Sequence, residues 1–161
     1  MHAIAKGQAY APEPAIEVTA AKETQVPVYG DPNAQAKDHF IERDGRVYAG
    51  THLIIDLWGA QCLDELERME QALRQAVTVA GATLLHIHLH HFTPNGGISG
   101  VAVLAESHIS VHTWPERDYA AFDIFMCGDA QPAKAITVLE NQFQPDRLIV
   151  KRYLRGEVKG G

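Results

Sequence analysis

Apolar and polar residues fall along this chain in blocks, and each block predicts an element. Residues 47–59 (VYAGTHLIIDLWG) are apolar and β-branched, the texture of a buried strand. Leu63, Leu66, Met69, Leu73, Ala76 and Ala80 follow at steps of three or four. That spacing puts them on one face of a helix, with Asp64, Glu65, Glu67 and Arg68 outside. The early acids suit a helix N-terminus and Gly81 suits its stop. Next, Leu85, Ile87 and Leu89 alternate with His86, His88 and His90, a strand pattern. Residues 93–97 read as a loop from Pro94, Asn95 and the Gly96-Gly97 pair. Residues 98–105 and 120–127 read as further strands, the second broken by Gly128 and Asp129. Residues 132–143 repeat the helical spacing, with Pro132 in the first turn, and 147–154 form a closing strand with a charged end.

The order is β-α-β-β-β-α-β, two helices with five or six strands. It predicts an α+β fold, a two-layer sandwich with both helices on one face of a mainly antiparallel sheet. The opposite face then needs a cover, and a second copy of the chain is expected to supply it, giving a four-layer dimer. Residues 1–44 differ in texture. They hold Pro12, Pro14, Pro27 and Pro32 and show no sustained period. They are expected to form a flexible arm ahead of a domain spanning 45–161.

Composition narrows the classes. With 46% hydrophobic residues in 161, the chain can bury one full core. A net charge of −6 argues against a nucleic-acid footprint. No apolar run approaches the ~20 residues of a membrane span, and the first residues lack the apolar core of a signal peptide. A cytoplasmic setting is expected, with Cys62 and Cys127 as free thiols.

The candidate chemistry is concentrated in residues 104–127, LAESHISVHTWPERDYAAFDIFMC. On a strand, His108, Ser110 and His112 share one face, and Ser107, Ile109, Val111 and Thr113 share the other. A hydroxyl at the head of a strand with imidazoles along it reads as a reactive centre; a polar turn between two strands is the plainer alternative. The row His86, His88, His90 invites a metal site. Alternate residues on a flat strand stand ~6.6 Å apart, so one ion would take two of these rings more readily than three, and a structural or substrate-facing role is expected.

The segments AESHISVHTWPE and YAAFDIFMCGD, with HHFTPNGGISGVAVLAESH upstream, resemble the bacterial S-adenosylmethionine decarboxylase proenzymes. The resemblance runs from about residue 40 to 154. It implies self-cleavage between Glu106 and Ser107, with Ser107 becoming a covalent pyruvoyl group, so that no pyridoxal phosphate is required. It implies Ser99 and His112 as the processing pair, eight residues before and five after Ser107. Cys127 matches the acid that reprotonates the substrate carbon; taken alone it reads as a small buried hydrophobe closing a strand. Phe92 and Glu116, with Trp114 nearby, stand where the family stacks adenine and binds ribose. Phe92 reads equally as core, and Glu116 as a solvated turn residue. The Gly96-Gly97 pair stands where some members carry a single glycine, which moves Phe92 one residue further from Ser107.

The implied activity is decarboxylation of S-adenosylmethionine by a homo-oligomer of cleaved α and β chains, supplying the aminopropyl donor for spermidine. Three alternatives stand beside it. A pyruvoyl enzyme needs only an α-amino acid, so ornithine or arginine could be the substrate. A non-catalytic regulatory subunit should have lost Ser107, His112 or Cys127, and all three are present. A histidine-rich metal-binding protein should carry zinc or nickel when purified.

Overall fold

A computed structural model describes residues 39–158. Most of the arm expected at 1–44 lies outside the described residues. Its last part does not behave as an arm. Strands β1 (Ile41–Arg43) and β2 (Arg46–Tyr48) form a small antiparallel ribbon across the Asp44-Gly45 turn. Strands of three residues are too short to print an alternation, which is why the sequence missed them. Arg46 grips Glu157 through two hydrogen bonds, 2.6 and 2.8 Å, and so ties the ribbon to the chain end.

The main sheet has six strands, all antiparallel, in the order β4-β5-β6-β7-β3-β8. They are β3 (Gly50–Trp58), β4 (Leu84–His91), β5 (Ile98–Leu104), β6 (Ser107–Trp114), β7 (Tyr119–Met126) and β8 (Arg147–Arg155). The expected strand at 47–59 is broken at Ala49, where the chain bends from the ribbon into the sheet. Both helices, α1 (Leu66–Ala80) and α2 (Ala133–Phe143), pack on one face, as the period predicts. Helix α1 starts later than expected. Cys62 adopts a left-handed φ of 57° and turns the chain, so Leu63 is buried as an anchor ahead of the helix while Leu66 is partly exposed. Gly81, at φ 73°, ends α1 as expected.

Alternation divides the sheet into two unlike faces. Ile55, Leu57, Ile109, Val111, Phe122 and Ile124 point to the helices and are fully buried. Phe122 meets Phe143 of α2 with ring centroids 6.0 Å apart. Phe122→Ala is expected to cost about 3–5 kcal/mol, the range for emptying a phenyl site in a packed core. A urea unfolding curve reads this as a lower midpoint at unchanged slope. The other face carries His52, Asp56, Trp58, Ser99, His108, Ser110, His112, Trp114, Tyr119 and Asp123, and no element of the described chain covers it.

Candidate active site

Ser99 is the second residue of β5 and His112 lies near the end of β6, and the two are cross-strand partners. Ser99 Oγ and His112 Nδ1 are 2.8 Å apart. Thr113 holds this end together from below. Its Oγ1 accepts from the Ile98 amide at 2.7 Å and donates to the Leu63 carbonyl at 3.0 Å. Sequence reading missed Thr113, although a polar residue at a core-facing position of a strand is itself a signal. The loop from β4 folds onto this end. The Phe92 amide donates to the Gly97 carbonyl at 2.8 Å, and the Gly96 amide donates to the Phe92 carbonyl at 2.9 Å. A Cβ on Gly97 would sit 2.9 Å from the Thr113 carbonyl, so only glycine allows this closeness. These two hydrogen bonds hold Phe92 at this end of the sheet.

These elements enclose an open concavity of about 270 Å³ lined by Phe92, Asn95, Ser99, His112, Trp114 and Glu116. Five of its six lining residues named here were singled out from sequence; Asn95 was read only as turn chemistry. Phe92 and Trp114 are half exposed here, so neither is core. Trp114 is placed by a ladder of rings across the open face. It stacks on Tyr119 at 5.3 Å, Tyr119 stacks on Trp58 at 4.3 Å, and the Arg147 guanidinium lies 5.7 Å from the Trp58 ring. The Tyr119 hydroxyl donates to Asp56 at 2.6 Å. Burial first, then that hydrogen bond, pushes the phenol up to about 12, so the ladder stays uncharged at its centre.

The second group lies at the opposite end of β6. Ala105 and Glu106 make the tight turn between β5 and β6, with Leu104 paired to Ser107. Glu106 sits at φ 67°, a left-handed conformation that costs a side-chain-bearing residue about 1–2 kcal/mol. The backbone amide of Cys127, just past β7, donates to Ser107 Oγ at 3.2 Å. Twenty positions apart in sequence, Ser107 and Cys127 are neighbours. Burial first, then the Glu106 charge, raises the Cys127 thiol above its ordinary value. Cys62 lies in the loop before α1, and both cysteines are free.

The structure therefore separates what the sequence crowded together. Ser107 and His112 are five residues apart on one extended strand, about 16 Å at the usual rise. Between them, mid-face, Arg155 Nη1 donates to His52 Nδ1 at 3.2 Å, and His52 Nε2 faces Asp123 Oδ1 at 3.4 Å, a charge contact rather than a good hydrogen bond. Burial, then the neighbouring His52, holds His108 below the ordinary imidazole range. His86, His88 and His90 lie on the same face on the edge strand β4; among the described residues no three His, Cys, Asp or Glu side chains are grouped to hold a metal ion. Among the described residues, no helix is long and apolar enough to cross a membrane.

The profile of a protein family described as S-adenosylmethionine decarboxylase matches residues 51–156. The chain belongs to that family. It is 46% identical over 110 residues to the S-adenosylmethionine decarboxylase proenzyme of Thermomicrobium roseum, a match covering 68% of this chain and 95% of that protein. It is 47% identical over 112 residues to the proenzyme of the same name from Methanococcus vannielii, covering 68% of this chain and 91% of that one. Among solved structures, it is similar to the adenosylmethionine decarboxylase from Aquifex aeolicus, with a TM-score of 0.63 at 34% identity, covering 71% of this chain and 96% of that one. As a member of the S-adenosylmethionine decarboxylase family the chain is a carboxy-lyase, and its two helices on an antiparallel sheet are the α+β fold the periodicity predicts. Ser99, Ser107, His112 and Cys127 fall within the matched range, whereas the β1–β2 ribbon lies ahead of it.

Proposed function

We propose that this chain is a proenzyme that cuts itself between Glu106 and Ser107 and then decarboxylates S-adenosylmethionine in a site built by two copies. The observation that carries the second half is the separation along β6. Ser107, on the helix-facing parity of β6, and Cys127 stand at one end of the β6–β7 hairpin, and Ser99, His112, Phe92, Trp114 and Glu116 stand at the other. A two-fold axis through the middle of this face brings one copy's Ser107 end onto its partner's His112 end, and the isologous contact forms two such sites. Partly exposed apolar groups such as Trp58 and Val103 suit burial of this face in a dimer.

The uncut chain fits the pyruvoyl chemistry at Ser107. The Ser107 hydroxyl attacks the Glu106 carbonyl carbon; the C–N bond breaks, an ester forms, and the amine of residue 107 is freed. The left-handed strain at Glu106 is released in this step. Loss of the Cα proton of residue 107 then expels the Glu106 carboxylate from Cβ. The dehydroalanine left behind takes up water as its imine tautomer and releases ammonia. One tautomer of His112 suits both helpers. With Nδ1–H donating to Ser99 Oγ, Nε2 holds the lone pair that removes the Cα proton, and the Ser99 O–H is free to donate to the oxyanion of the first step.

The resulting ketone supplies an electron sink for the charge left by CO₂ once the substrate amine has condensed with it. Phe92 and Trp114 offer ring faces for adenine, and Glu116 a carboxylate for the ribose hydroxyls. These groups favour a nucleoside substrate over ornithine or arginine. A cytoplasmic setting keeps the Cys127 thiol reduced. Cys127 serves as the acid that protonates the substrate carbon, and its raised value keeps it protonated at neutral pH. Cys127→Ala is accordingly expected to cut itself and yet turn over about 10²- to 10⁴-fold more slowly. In the parent enzyme a protonated thiol is the active form, so the alkaline limb of kcat should fall above the ~8.5 of a free thiol. A native rate in Cys127→Ala would assign the proton to another group.

The test of the whole reading is intact mass under denaturing conditions, with CO₂ release assayed on S-adenosylmethionine, ornithine and arginine. Fragments of residues 1–106 and 107–161, the second with a carbonyl at its head, are expected, with release from S-adenosylmethionine alone. An intact chain, or release from another substrate, overturns it.

A further inference from the structure

We propose that His39, from the segment ahead of the ribbon, is a positioning residue for the self-cleavage. The proposal rests on the processing reading given above and adds a residue outside the family's matched range of 51–156. His39 links Glu106, ahead of the scissile bond, to the turn that follows Cys127. Its Nε2 lies 3.4 Å from Glu106 Oε2, on the residue that contributes the scissile carbonyl. Its backbone carbonyl accepts from the Gly128 amide at 3.1 Å, immediately after Cys127. Gly128 is left-handed, φ 59°, so the chain leaves β7 in a turn that few other residues adopt and presents its amide to His39.

The consequence is mechanical. Glu106 is exposed at the tip of a two-residue turn, and nothing else in the described chain is hydrogen-bonded or ion-paired to its carboxylate. Ser107 Oγ is fixed from the other side by the Cys127 amide. Attack requires the carbonyl of Glu106 and the hydroxyl of Ser107 to keep one relative orientation. His39 joins the two sides, fastened by its backbone to the Cys127 side and by its ring to the Glu106 side. It narrows the range of turn conformations without touching the reacting atoms. The side chains of His39 and Glu106 are 46% and 61% exposed, so the contact is solvent-screened and its effect modest.

The experiment follows the cleavage rate of freshly translated full-length chain by denaturing mass spectrometry. His39→Ala is expected to slow cleavage about two- to fivefold, the range of an exposed ion pair. His39→Lys, whose ammonium can face the same oxygen, should recover most of the rate, which a role in folding alone does not predict. Glu106→Gln supplies the decisive comparison: in that background His39→Ala should slow cleavage no further. Parent-like cleavage in His39→Ala overturns the proposal, as does an equal effect of His39→Ala with and without the Glu106 carboxylate. Absence of cleavage in the parent chain would instead sink the processing reading on which it rests.

Discussion

Ser107→Ala leaves the chain whole at 161 residues and without decarboxylase activity. The expectation is all-or-none because the substitution removes two things at once. It takes away the nucleophile of the acyl shift, and it takes away the oxygen that must leave Cβ to create the ketone. Neither can be replaced by a neighbour. Ser110 lies on the opposite face of β6, and Ser99 lies about 16 Å away at the far end of the strand. Water can hydrolyse a peptide bond but cannot turn alanine into a pyruvoyl group. The fold should survive, since Ser107 Oγ receives one hydrogen bond from an amide near the surface, of about 0.5–1.5 kcal/mol. Denaturing mass spectrometry and CO₂ release on the same preparation check both parts. A cut Ser107→Ala chain would remove the acyl-shift mechanism; an uncut chain that still releases CO₂ would remove the pyruvoyl group.

Much of this was legible in the sequence because alternation and helical spacing report burial directly. The helix-facing row Ile109, Val111, Thr113 and the open-face row His108, Ser110, His112 are read off β6 by parity alone, and the structure keeps that parity. Parity does not report distance, however. A cluster within six residues of sequence is compact as text and about 16 Å long as a strand, so Ser107 and His112 do not form one centre within a chain. Conversely, Ser107 and Cys127 meet because β6 and β7 pair in a hairpin whose register the sequence does not print. The ladder Trp58, Tyr119, Trp114 draws one residue from each of three strands, and it became visible only with strand order. Thr113 and His39 were missed for different reasons. Thr113 broke an apolar pattern by a single position, and His39 lay in a stretch with no pattern at all.

The same separation yields the second large effect. Co-expressing Ser107→Ala with His112→Ala is expected to restore cleavage and decarboxylation that neither variant shows alone. In a mixed dimer, one of the two composite sites receives Ser107 and Cys127 from the His112→Ala chain and Ser99 and His112 from the Ser107→Ala chain. That site is complete, and the other lacks both groups. The fragments must therefore come from the His112→Ala chain, and mass alone identifies it because position 112 lies in the 107–161 fragment. If both chains mix freely, half of the dimers are mixed and each holds one intact site of two, so recovery approaches a quarter of the parent's activity. A processing centre contained within one chain predicts the reverse: no cleavage in the mixture, since each chain would lack one of its own groups. The outcome thus turns on geometry that β6 already sets. An extended strand cannot bring its two ends together, so under the proposed two-copy site the chemistry shared between them is expected to come from a second strand running the other way.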